Sequence, residues 1–117
     1  MAVNIATITT LNRIRLYVGQ PATSEGTLYT VPASTNAKVT EIVIANTSSA
    51  TATVSISAVP SGGSAGAGNR LFANLSVDAN SVVVMDMSVF LDTGDFLSAV
   101  QATSGAITLT ISGETYA

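Results

Sequence analysis

Apolar and polar positions alternate along most of this chain with a period of two. In residues 51–60 (TATVSISAVP), Ala52, Val54, Ile56 and Ala58 fall on one side, with Thr51, Thr53, Ser55 and Ser57 on the other. In residues 106–113 (AITLTISG), Ile107, Leu109 and Ile111 alternate with Thr108, Thr110 and Ser112. That period predicts strands with one face buried and one face wet. Their β-branched content suits a pleated surface better than a helix. Residues 38–46 (KVTEIVIAN) differ, because Ile42, Val43 and Ile44 are consecutive. Such a strand is expected to be covered on both faces or to carry a bulge. The polar turn of residues 47–50 then predicts a hairpin over residues 38–60 as the centre of the fold.

The same pattern recurs on both sides. Residues 12–18 set Ile14, Leu16 and Val18 against Arg13, Arg15 and Tyr17. Residues 27–31 form a short strand closed by Pro32, which cannot donate to a ladder. Residues 70–77, 81–91 and 96–100 are further strands, and Asp86 in the middle of the second argues that one of its faces is wet. Turn-forming residues separate them, most densely in residues 61–69, where four glycines fall within nine positions and predict the most flexible segment. Nothing shows a 3.6-residue period with helix caps. The expectation is an all-β chain, a β-sandwich of jelly-roll type with about seven to nine antiparallel strands and little or no helix. By length, 117 residues make one domain. Residues 13–117 are assigned to the sandwich, and residues 1–12, apolar and Thr-rich, to an N-terminal arm or first strand.

Charge changes the functional picture. Only 9% of residues are charged and the net charge is −3, against about 25% charged in ordinary soluble domains. The four basic residues, Arg13, Arg15, Lys38 and Arg70, form no cluster, which excludes the basic stripe a nucleic-acid binder needs. Ser (14) and Thr (16) supply the hydration that ions would otherwise give. Few charges also leave little defence against self-association. Two readings follow: a hydroxyl-coated β domain, or a domain whose faces partners cover. With no Cys there is neither a disulfide nor a thiolate metal site, and with no His the usual general base and commonest metal ligand are absent. No apolar run approaches the ~20 residues of a membrane span. The N-terminal residues lack a secretory pattern, so synthesis in the cytoplasm without general export is expected.

Candidate chemistry is thin. Asp92-Thr93-Gly94 after Phe90-Leu91 matches the aspartic-protease signature, in which two such loops share a proton. It lies near the end of the chain, and Asp-x-Gly-Asp reads more simply as a β-turn. Asp92 and Asp95, with Asp86 or Asp78, offer oxygen ligands, though one short turn converges too few carboxylates for calcium. The glycine loop lacks the Gly-Lys-Ser/Thr ending of a phosphate cradle. Asn46-Thr-Ser48 and Asn74-Leu-Ser76 fit the glycosylation pattern by chance when no secretory signal precedes them. Tyr17, Tyr29, Tyr116, Phe72, Phe90 and Phe96 would have to meet on one patch to stack a sugar; most are needed as core or strand cover. No catalytic residue, cofactor or metal is assigned, and the chain is expected not to be an enzyme.

Residues 27–33 (TLYTVPA), 38–47 (KVTEIVIANT), 51–56 (TATVSI), 59–64 (VPSGGS), 69–71 (NRL), 91–95 (LDTGD) and 111–113 (ISG) carry a resemblance. Together they resemble a group of small β-sandwich virion proteins of tailed bacteriophages, over residues 27–113. The resemblance implies a capsid decoration (cement) protein, a head fibre or a tail component. It supplies no catalytic residue, and residues 1–20 have no counterpart in it. The expected function is therefore a phage virion structural protein, foremost a decoration protein that bridges and stabilises capsid subunits. The alternative is a tail, baseplate or fibre component, with glycan (host-receptor) binding as its further role. Expected partners are further copies of the chain, a trimer being favoured, and the major capsid protein or other virion proteins, with no nucleic acid or membrane. The expected location is the virion, assembled in the host cytoplasm. Candidate contact residues are Met1, Val3, Ile5, Ile8 and Leu11 of the arm, Arg13, Arg15 and Arg70 as cations for acidic patches, and Gly62, Gly63, Gly66 and Asn69 of the loop.

Overall fold

The computed structural model describes residues 8–117. Eight strands run in order: β1 (Leu11–Gly19), β2 (Gly26–Thr30), β3 (Asn36–Asn46), β4 (Ala52–Val59), β5 (Arg70–Val77), β6 (Val82–Leu91), β7 (Phe96–Gln101) and β8 (Ile107–Tyr116). They form two four-stranded sheets, ordered β1–β8–β3–β6 and β2–β7–β4–β5, with every pairing antiparallel. This is the eight-stranded jelly roll. The one helical element among the described residues is a single 3-10 turn, Ala67–Asn69. The all-β sandwich expected from the alternation is the fold observed.

The core lies between the sheets. Ile42 and Ile44 of β3 and Ile107, Leu109 and Ile111 of β8 face Val54 and Ile56 of β4 and Leu97 and Ala99 of β7, all of them buried. Only β4 and β5 follow one another as neighbours in one sheet; every other connection crosses between the layers. The hairpin expected over residues 38–60 is therefore not formed. Both arms are strands, but β3 pairs with β6 and β8 while β4 pairs with β5 and β7. The turn between them is an arch from sheet to sheet, held by the buried Asn46 side chain.

Bulges account for the other departures. On β3 the register shifts between Val39 and Glu41, where the Thr40 hydroxyl donates to the Ser112 carbonyl at 3.1 Å. The strand carries a bulge, one of the two expectations for it, but the bulge precedes Ile42-Val43-Ile44: within that run Ile42 and Ile44 point inward and Val43 is half-buried on the outer face. On β1 the register shifts between Arg15 and Tyr17. One extra residue turns every later side chain to the opposite face. Leu16 is accordingly buried, but Val18, expected inside with it, pairs with Thr110 on the outer face and is 54% exposed. In β4, Ser55 and Ser57 were expected to be wet and are buried. Ser55 Oγ accepts the Asn74 N–H at 2.8 Å, and Ser57 Oγ accepts from the Arg70 guanidinium at 3.0 Å; β5 and its arginine cover this part of the outer face.

The connections gather at two ends. The β3–β4 and β5–β6 arches meet where Asn80 N–H reaches the Ser48 carbonyl, and Thr47 N–H reaches the Ala106 carbonyl before β8. At the opposite end, Thr9 and Thr10 donate to the Ala117 carbonyl, Asn36 pairs with Tyr116, and the β2–β3, β4–β5 and β6–β7 connections are cross-bonded.

Candidate protein-contact surface

The outer face of the β1–β8–β3–β6 sheet is built in rows, because residues directly opposite on adjacent strands share a face. One row is Arg13, Glu114, Lys38 and Phe90; the next is Arg15, Ser112, Glu41 and Asp86; the third is Val18, Thr110, Val43 and Val84. Every large apolar side chain that is exposed among the described residues lies on β1 or β6, the two edge strands of this sheet: Leu11, Ile14 and Val18 on one, Val82, Val84 and Phe90 on the other. Phe90 is 71% exposed, with the Lys38 ammonium 5.7 Å from its ring centroid. The opposite sheet has no such side chain among the described residues.

Charge is graded across the same face. Arg13 and Arg15 stand on the β1 edge; Glu41 and Asp86 lie directly opposite each other toward the β6 edge. Arg13 pairs with Glu114 at 3.4 Å, an exposed contact of small value. Tyr116 donates to Glu114 at 2.8 Å; burial, together with this hydrogen bond and the Glu114 charge, raises its phenol above the ordinary value. Among the described residues the ion pairs are Arg13–Glu114 and Arg70–Glu25, so Arg15, Glu41 and Asp86 carry no ionic partner. Two carboxylates set against one another without a cation are unfavourable in isolation.

The expected contact residues divide three ways. Met1, Val3 and Ile5 lie outside the described residues. Ile8 is half-buried just before β1, and Leu11, Arg13 and Arg15 are exposed on the β1 edge. Leu11 and Asn12, assigned with residues 1–10 to an arm or first strand, belong to β1 and pair with Tyr116 and Thr115. The glycine loop opens at the same end, and it is braced. Gly63 N–H closes a turn on the Pro60 carbonyl at 2.9 Å, with Gly62 at φ +81°. Asn69 accepts the Gly66 N–H and donates to the Ser64 carbonyl. Arg70, expected to reach out to a partner, is turned onto its own sheet, where it pairs with Glu25 and donates to Ser57. Glu25 also accepts the Ser98 hydroxyl at 2.6 Å. Arg70→Met should leave Glu25 without its cation and Ser57 without its donor. The expected loss is about 1 kcal/mol, read by chemical denaturation.

The Asp92–Asp95 turn is occupied with itself. Asp95 N–H closes it on the Asp92 carbonyl at 3.0 Å. The Asp95 carboxylate accepts Asp92 N–H and Ser61 N–H, each at 2.9 Å, and Asp92 accepts the Asn36 side-chain amide at 2.8 Å. Thr93 donates to the Thr35 carbonyl at 2.6 Å. These acids hold three connections together. No group of three acidic side chains suited to a metal occurs among the described residues. Nor do the aromatics make one platform: Tyr17, Tyr29 and Phe72 pack against the core, while Phe90 stands alone on the β6 edge.

The fold defines the class of the molecule as a two-sheet jelly-roll domain. No protein-family model matches the chain, and no curated protein does. Among solved structures it is similar to a chain of infectious bursal disease virus, Gx strain, at 13% identity and a TM-score of 0.48, and to one of the Gt strain at 12% and 0.46. Each comparison covers 92% of this chain and 31% of the viral chain, so the present chain spans about a third of those proteins.

Proposed function

We propose that this chain is a non-enzymatic structural protein of a bacteriophage virion, one that decorates the capsid and bridges its subunits. The observation that carries the reading is the concentration of exposed apolar side chains on the two edge strands of one sheet. In a chain so poor in charge, that surface is suited to being covered by protein. The resemblance of residues 27–113 to small phage virion proteins supplies the particle. The residues leading into β1 and the braced β4–β5 loop share one end of the sandwich, which is the end proposed to seat on the capsid. Several weak contacts per copy, repeated over linked copies, would add through effective concentration. A protein bound across neighbouring subunits raises the free energy needed to part them.

Electron microscopy of particles with and without the protein tests the reading. Density on the capsid surface is expected; density confined to the tail would move the chain to a tail or fibre role, and density nowhere would remove it from the virion. Residues 1–8 precede the Thr9 and Thr10 bonds to Ala117. Their removal is expected to abolish attachment while leaving the melting temperature within about 2 °C. A truncated chain that unfolds would show that segment to be part of the core. Asp92→Asn is expected to leave attachment unchanged; acid peptide cleavage lost in that variant would overturn the non-enzymatic reading.

A further inference from the structure

We infer that the outer face of the β1–β8–β3–β6 sheet binds the same face of a second copy about a two-fold axis. The axis runs along the strand direction, between β8 and β3. The inference deepens the proposed function by naming the partner of that surface, and it rests on reading the surface as one made for contact. A dyad so placed reverses each row upon itself. Arg15 then stands opposite Asp86 of the partner subunit, beside the unneutralised Glu41–Asp86 pair. Lys38 meets Glu114 of the partner subunit, and Arg13 meets the exposed ring of Phe90 of the partner subunit, an arrangement suited to cation–π attraction. In the third row Val18 meets Val84 of the partner subunit. No like charges oppose one another. An isologous contact requires this self-complementarity, and aligned packing of two sheets about 10 Å apart supplies the geometry.

The size is sufficient for a reversible dimer. Four strands spaced about 4.8 Å apart and about eight residues long at about 3.4 Å each give a face of roughly 500 Å². The total buried would be about 1,000 Å², the lower edge of specific interfaces, which suits a dissociation constant on the order of micromolar. A two-fold contact takes the place of the trimer expected from the sequence.

Sedimentation equilibrium of the isolated full chain, at about 100 μM in low salt, reads the result. The expected mass is twice the 11.8 kDa of one chain. Arg15→Glu alone and Asp86→Arg alone should each weaken dimerisation at least about tenfold, since each homodimer then carries two repulsive pairs. Mixing the two variants should restore a dimer, because the heterodimer has one pair of each wild-type and reversed sense and both attract. Unchanged thermal melts keep folding apart from association, both positions being exposed. A monomer at that concentration, a trimer, or a dimer indifferent to both charge reversals would overturn the inference. The measurement is made without particles, so its outcome is independent of whether the protein is found on a capsid.

Discussion

Gly113→Ala is expected to destabilise the domain by about 3 kcal/mol and to lower its melting temperature by roughly 10–15 °C. Gly113 lies on β8, paired on one side with Val39 and on the other with Ile14. A bulge follows on each neighbouring strand, at Val39/Glu41 and at Arg15/Tyr17. The β1 bulge tucks Leu16 inward, and its Cδ1 occupies the space a Cβ at position 113 would need, at 2.8 Å. The same Cβ would stand well inside contact distance of the Lys38 carbonyl oxygen. That oxygen is backbone within a paired strand and cannot step aside as the end of a flexible side chain could. The backbone at Gly113 needs no left-handed conformation, so the penalty comes from lack of room. Two paths of relief exist, expelling Leu16 from the core or breaking pairing at Lys38, and both give up native contacts. Thermal unfolding of the variant checks this; a loss under about 2 °C would mean that the two bulges can relax together.

Much of this fold is legible in the residues one strand at a time. The alternation in residues 106–113 gives β8 its inward Ile107, Leu109 and Ile111 without help from any other part of the chain. What cannot be read locally is whatever depends on a partner strand. Val18 follows the alternation of Ile14 and Leu16, yet the bulge at Arg15/Tyr17 is defined only against Ser112 and Ile111, almost a hundred residues away. Ser55 and Ser57 look wet until Asn74 and Arg70 are laid over them. A polar turn after Asn46 suits an arch between sheets as well as a hairpin, so the pattern could not choose between them. The candidate contact surface follows the same rule. Arg13 and Arg15 stood out as isolated cations and Asp86 as a wet position in an apolar strand. Their common face, and the row that joins Arg15 to Asp86 through Ser112 and Glu41, exist only once β8 and β3 are placed between β1 and β6.

The arch after β3 makes the second large effect, in Asn46→Leu. Asn46 is 2% exposed and its amide is fully used. Nδ2 donates to the Ala50 carbonyl at 2.8 Å and the Val77 carbonyl at 2.9 Å. Oδ1 accepts the Ser48 N–H at 2.9 Å and the Ser48 hydroxyl at 2.8 Å. Two carbonyls on one side and an N–H on the other fix which end is the amino group. One side chain thus ties the turn to the last residue of β5. Leucine has similar bulk but leaves these groups with no partner, at about 1–3 kcal/mol for each buried one. A total loss of about 3–5 kcal/mol is expected, a large part of the roughly 5–15 kcal/mol that holds a domain of this kind folded. Asn46→Asp separates polarity from pairing. It keeps an acceptor for Ser48 but turns an oxygen toward two carbonyl oxygens, so its carboxyl is driven above the ordinary value of about 3.9 in the folded state. Folded protein then holds a proton that unfolded protein has released, and stability falls as pH rises from about 4 toward neutrality. Denaturant midpoints at pH 4 and pH 7 give the reading: Asn46→Asp should be distinctly more stable, relative to wild type, at the acid end, and Asn46→Leu equally impaired at both. An Asn46→Leu variant within 1 kcal/mol of wild type would show that the arch is held by its backbone bonds, such as Thr47 N–H to the Ala106 carbonyl, and not by this amide.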